Sequence, residues 1–91
     1  MNKRELKTIY DRAKSFYKKA IIIEDDEVVM LRSYDTLILK INKKDNSIEF
    51  LTKNLNHFTQ TTNRHINEFL KQFNDNSKCY SKSEILKLAN I

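Results

Sequence analysis

His57, His65, Cys79 and the acidic run Glu24-Asp25-Asp26-Glu27 are the residues of this chain whose types ordinarily carry metal or acid–base chemistry. Their spacing supports little of it. The histidines form no His-x-x-x-His pair, and together with a single cysteine they fall short of a structural zinc set. The acidic run lacks the alternating ligands and the glycine of a calcium loop, so it reads as a solvated turn. Cys79 lies in a polar segment with no histidine near it in sequence to act as its base. No pair of carboxylates flanking a cleft is discernible, and the expectation is a protein that is not an enzyme and uses no metal or cofactor.

Composition narrows the classes further. The 91 residues contain neither glycine nor proline, which excludes glycine-rich phosphate loops, dinucleotide fingerprints and nucleophile elbows, since each needs a close backbone approach or a positive φ. The length suits one small domain with a modest core. A lone cysteine fits a reducing compartment, and no segment reaches the roughly 20 apolar residues needed to cross a bilayer. A soluble intracellular protein is expected.

The elements that must position any site follow from hydrophobic periodicity. Leu6, Ile9, Tyr10, Ala13, Phe16, Tyr17 and Ala20 recur at helical spacing and predict a first helix over 3–20, with Ile21-Ile22-Ile23 extending it or beginning a short strand. Val28 to Tyr34, Thr36 to Asn42 and Ser47 to Thr52 read as three strands, with Asp45 or Asn46 taking a left-handed turn position. In the middle strand Leu37, Leu39 and Ile41 share one face, and Thr36, Ile38 and Lys40 the other. A helix over about Thr62 to Phe73 buries Ile66, Phe69, Leu70 and Phe73, with Thr61 or Thr62 capping it. Ser81-x-x-Glu84 is a capping box opening a last short helix with Ile85, Leu88 and Ala89 on one side. The predicted fold is α+β, a three-stranded antiparallel meander packed against helices in the order α-β-β-β-α-α.

Thr61-Thr62-Asn63-Arg64-His65-Ile66-Asn67-Glu68-Phe69-Leu70 and the upstream Ser33-Tyr34-Asp35-Thr36 also carry a resemblance. Together they resemble a family of small proteins encoded by bacteriophages and other mobile elements, in which a Ser-Tyr-x-Thr strand is followed, past a hairpin, by Thr-Thr-x-x-His-Ile and then Phe-Leu. That family has no established activity. The resemblance implies that Tyr34, a threonine hydroxyl such as that of Thr62, and His65 meet between sheet and helix. A hydrogen-bonded cluster that fixes helix docking is the structural reading of that meeting, and a polar site is the functional one.

Charge supplies the partner hypotheses. Net charge is +5, and Met1 to Ala20 alone holds seven basic and two acidic residues. On the predicted first helix Lys3, Lys7, Lys14 and Lys18 fall within about 60° of one another and span about 22 Å. A solvated face and an AT-rich genome explain them as well as a partner does. Arg64 lies about 160° from Ile66 on the second helix with Lys71 on the same side, placing both to meet a carboxylate or phosphate. The first functional reading is a phage or mobile-element accessory protein that binds a host or element protein, one form being an inhibitor of a host defence nuclease such as a CRISPR-Cas effector. The alternative is a small basic nucleic-acid-binding protein of low sequence specificity. A third is a homodimer through Tyr10, Tyr17 or a sheet face bearing Ile38 and Ile48.

Overall fold

The β-branched run Ile21-Ile22-Ile23 pairs with the alternating segment Val28–Ser33, and this pairing organises the amino-terminal half of the chain. A computed structural model describes residues 2–52, 60–74 and 80–88. In chain order the elements are β1 (Asn2–Glu5), β2 (Ala20–Glu24), β3 (Val28–Ser33), β4 (Thr36–Asn42), β5 (Ser47–Phe50), α1 (Gln60–Phe73) and α2 (Lys82–Leu88). The strands form one antiparallel sheet in the order β1-β2-β3-β4-β5.

This corrects the expected order α-β-β-β-α-α and the three-stranded meander. Residues 3–20 do not form a helix. Asn2–Glu5 lies beside β2 with Lys3 opposite Ile23 and Arg4 opposite Ile22, so the isoleucine run gains a second strand partner. The helical periodicity of the segment is real in sequence but is not used. Leu6, Phe16 and Ala20 reach the core, whereas Ile9, Tyr10 and Tyr17 face solvent. Two like-charged i, i+4 lysine pairs weaken a local helix, and tertiary strand pairing prevails over that weak preference.

The buried face is set by cross-strand partners. Ile22, Leu31, Leu39 and Phe50 form one row across the sheet, and Val29, Ile41 and Ile48 form another. Ile66, Phe69 and Leu70 of α1 and Ile85 of α2 close over these rows, all four fully buried. At ~1.5–3 kcal/mol for each fully buried aliphatic or aromatic side chain, these contacts supply the main driving force of folding. The register of β3 and β4 shifts by one residue between Leu31 and Arg32, leaving Ile38 as the extra residue of a bulge. Ile38 and Leu39 are therefore both buried, and Leu37 is turned outward and exposed, contrary to the strict alternation expected of this strand.

The turns manage without glycine. Asn46 takes the left-handed position of the β4–β5 turn at φ 61°, as one of its two expected candidates. α1 begins at Gln60, so Thr61 and Thr62 both lie inside the helix rather than capping it. Ser81 and Glu84 form the reciprocal capping box of α2, with Glu84 N–H donating to Ser81 Oγ at 3.2 Å and Ser81 N–H to Glu84 Oε1 at 3.1 Å. Ala89, His57 and Cys79 lie outside the described residues.

The bulge yields a sharp contrast between neighbours. Leu39→Ala is expected to lower unfolding free energy by about 2–5 kcal/mol, and Leu37→Ala by less than about 0.5 kcal/mol, both measured by urea denaturation.

Candidate functional site

Leu6 N–H donates to Ala20 O at 2.8 Å, so the ends of β1 and β2 are closed and residues 7–19 leave the sheet as a compact Ω-type loop. The loop crosses the side of α1 that faces away from the sheet. Arg64, Glu68 and Gln72 repeat at i, i+4, i+8 along that side. The Glu68 carboxylate accepts Tyr10 N–H at 3.0 Å and Asp11 N–H at 2.7 Å on Oε1. Its Oε2 accepts Gln72 Nε2–H at 2.6 Å, and Gln72 Nε2 also donates to Lys7 O at 2.7 Å. Glu68 is only 2% exposed, and a buried carboxylate is tolerated when donors surround it.

Asp11 completes the grip. Its carboxylate accepts the Ala13 N–H at 2.9 Å and both Nε–H (3.0 Å) and Nη2–H of Arg64. The Arg64 hydrogen bonds hold the Asp11 carboxyl below the usual carboxylate range, the Ala13 amide assists, and partial burial opposes them. At the far end of the loop Glu5 Oε2 accepts Ser15 Oγ–H and Lys18 N–H, each at 3.0 Å.

A second polar set lies between α1 and the sheet. Ser33 Oγ is 2.8 Å from His65 Nδ1 and 3.3 Å from Thr62 Oγ1, all three residues being buried. The His65 ring stands 4.4 Å from the Phe16 ring and 5.9 Å from that of Tyr34. Burial, with a smaller push from the Arg64 charge, lowers the His65 pKa from 6.5 to about 4, so the ring is neutral at pH 7. On the third side of α1, Asn67 pairs with the Tyr80 backbone as a peptide would. Its Oδ1 accepts Tyr80 N–H at 2.6 Å, and its Nδ2 donates to Tyr80 O at 2.9 Å. Asn63 Nδ2 also donates to Tyr80 O, at 3.1 Å.

The residues singled out from sequence are thus distributed as follows. Tyr34, Thr62 and His65 come together, but the hydroxyl that joins them is that of Ser33, with Tyr34 contributing its ring. Arg64 is bonded to Asp11, and Lys71 Nζ stands 6.0 Å from the Tyr10 ring centroid. Lys3, Lys7, Lys14 and Lys18 share no helix face, because Lys3 belongs to β1 and the other three to the loop. Lys7 and Lys14 do converge on one small cavity with Glu5, Thr8 and Ser15. Ile38 is buried and Ile48 packs against the core, so neither marks a second open sheet face.

Glu68, Asp11 and Asn67 are the residues that sequence reasoning passed over. The signal available for Glu68 is the Arg64-x-x-x-Glu68-x-x-x-Gln72 spacing, which reads equally well as a solvated face. A cleft of about 560 Å³ opens beside these contacts, between the loop, α1 and Tyr80, with Arg12, Arg64 and Lys71 on its walls. Among the described residues no three His, Cys, Asp or Glu side chains converge as a metal set, and no helix is long and apolar enough to cross a membrane.

A family model described as a family of unknown function, DUF8033, matches residues 4–87, and the chain belongs to that family. The matched span includes both the Ser33-Tyr34-Asp35-Thr36 turn and α1. No curated protein and no solved structure matches the chain.

Three measurements probe this framework. Glu68→Ala removes the acceptor of the Tyr10 and Asp11 amides, and at ~1.5–3 kcal/mol for a hydrogen bond to a charged group it should destabilise the protein by several kcal/mol. Glu68→Gln should be milder. In hydrogen exchange the Tyr10 and Asp11 amides should lose protection while those of β3 keep theirs. His65 gives a pH dependence of definite sign. Between pH 6.5 and about 4 the unfolded chain takes up a proton that the folded ring refuses, so stability falls as pH drops through that window. The loss approaches ~3 kcal/mol, and His65→Gln should flatten it in urea titrations at pH 7, 5.5 and 4.5.

Proposed function

We propose that this member of the family is a non-enzymatic binding protein that docks on another protein through the outer side of the 7–19 loop. The observation that carries the reading is the exposure of Ile9 and Tyr10, at 67% and 59%, on a backbone that Glu68 and Asp11 pin to α1. Large apolar side chains on a loop with a fixed backbone lose little conformational freedom on binding, which is what an interface anchor requires.

The surroundings define the partner's chemistry. Lys7, Arg12 and Lys14 are exposed on the same loop as Ile9 and Tyr10, and such basic charge suits an acidic protein face. Two groups that could serve catalysis are engaged internally, His65 on Ser33 and Arg64 on Asp11. Together with the resemblance to phage and mobile-element proteins, this supports an accessory factor that acts on a host or element protein in the bacterial cytoplasm. Inhibition of a host defence nuclease, such as a CRISPR-Cas effector, is the specific form proposed.

The test is affinity capture from nuclease-treated bacterial lysate, with the native protein and an Ile9→Ser/Tyr10→Ser variant run in parallel. A protein retained in stoichiometric amount by the native chain and lost from the variant, at an unchanged thermal midpoint, is the expected outcome. Equal retention by both rejects the loop as the docking surface.

A further inference from the structure

Two turns meet at the end of the sheet opposite the Asn46 turn. Lys19 N–H donates to Phe16 O at 2.9 Å, closing a tight turn whose central residues Tyr17 and Lys18 both have positive φ, 52° and 64°. Such a turn has the backbone of type I′, for which Asn-Gly is the favoured sequence. Beside it, Tyr34 opens the β3–β4 turn at φ 54°. Its N–H donates to Lys19 O at 2.7 Å, so the two turns are fastened together.

Tyrosine and lysine are poor occupants of left-handed backbone, and hydrogen bonds hold them in it here, from Tyr17 N–H to Ser15 Oγ at 2.8 Å and from Lys18 N–H to Glu5 Oε2 at 3.0 Å. Tyr17 is 72% exposed and Tyr34 44%. Lys18 and Lys19 are exposed as well, and Lys19 Nζ stands 5.5 Å from the centroid of the Tyr34 ring. Arg32 lies behind this turn, where it donates to Tyr34 O at 3.0 Å and pairs with Asp35 at 3.4 Å, which offsets the one carboxylate of the turn. Ring faces interleaved with cations, rather than an aliphatic cluster, match the chemistry of bases and phosphates.

From this placement we infer that the paired turns are a stacking platform for single-stranded nucleic acid. Tyr17 and Tyr34 offer ring faces to successive bases, and Lys18 and Lys19 meet the phosphates. This surface is distinct from the Ile9–Tyr10 side of the loop and does not depend on the docking reading. Binding of this kind has little sequence preference and a salt dependence set by the number of phosphates neutralised.

The test is fluorescence anisotropy with a fluorescein-labelled dT15 oligonucleotide. With about two phosphates contacted, affinity should fall about sevenfold between 50 and 200 mM salt. Tyr34→Ala should weaken binding about tenfold. The decisive variant is Tyr17→Asn/Lys18→Gly, which installs the favoured type I′ pair and should raise the thermal midpoint while weakening dT15 binding at least about tenfold. Lys44→Ala, in the turn at the other end of the sheet, should leave affinity unchanged. The inference is overturned if dT15 fails to bind, if the Asn-Gly variant binds as tightly as the native chain, if Lys44→Ala weakens binding equally, or if a duplex of the same length binds equally well. Binding of a deca-glutamate peptide without binding of dT15 would assign the platform to an acidic protein and would also overturn it.

Discussion

A carboxylate buried in the middle of a helix must be surrounded by donors, and here the donors come from a segment 57 to 58 residues away in sequence. Glu68 therefore couples two parts of the chain that share no secondary structure. Without the Tyr10 and Asp11 amides the carboxylate would face a large desolvation cost, and without the carboxylate those amides would have no acceptor inside the fold. The 7–19 loop is accordingly an ordered layer over α1, although it contains no strand and no helix. α1 is enclosed from three sides, with the sheet against Ile66 and Phe69, the loop against Glu68, and the Tyr80 backbone against Asn67.

The Ser33, Thr62 and His65 cluster acts in the same way on the inner side. Ser33 is the last residue of β3, so its hydroxyl fixes the helix relative to the sheet at a single point. Apolar packing alone tolerates sliding along the helix axis, whereas a buried hydrogen bond at 2.8 Å does not. The neutral state of His65 belongs to this structural role, because a protonated ring in the same place would carry an uncompensated buried charge.

These internal obligations separate structural from presented residues. Arg64, His65, Glu68 and Asn67 are held by contacts within the fold. Ile9 and Tyr10 remain exposed on a segment that Glu68 holds, and Tyr17 and Tyr34 on turns closed by the Lys19 backbone. An exposed aromatic on a fixed backbone is a usable recognition element, and the same side chain on a free segment would have to be ordered on binding.

The sequence by itself determined the local features whose physical cause is local. The three strands from Val28 onward, the amphipathic α1, the capping box of α2, and a left-handed turn residue at Asp45 or Asn46 all follow from side-chain periodicity, hydrogen-bonding reach or backbone sterics within a few residues. The meeting of His65 with Thr62 and the Ser33–Thr36 turn was also legible, through the recurrence of the two motifs together, although the hydroxyl bonded to His65 is that of Ser33 and not of a threonine. The amino-terminal segment was not legible. Its helical periodicity is a local signal, while strand pairing with Ile21–Ile23 and capture of Tyr10 and Asp11 by Glu68 are long-range interactions that no window of sequence contains. The outward turn of Leu37 likewise depends on a one-residue bulge opposite β3, a property of the pair of strands and not of either one. Tertiary structure alone decided these points, because the free energy that settles them comes from groups brought together only when the chain has folded.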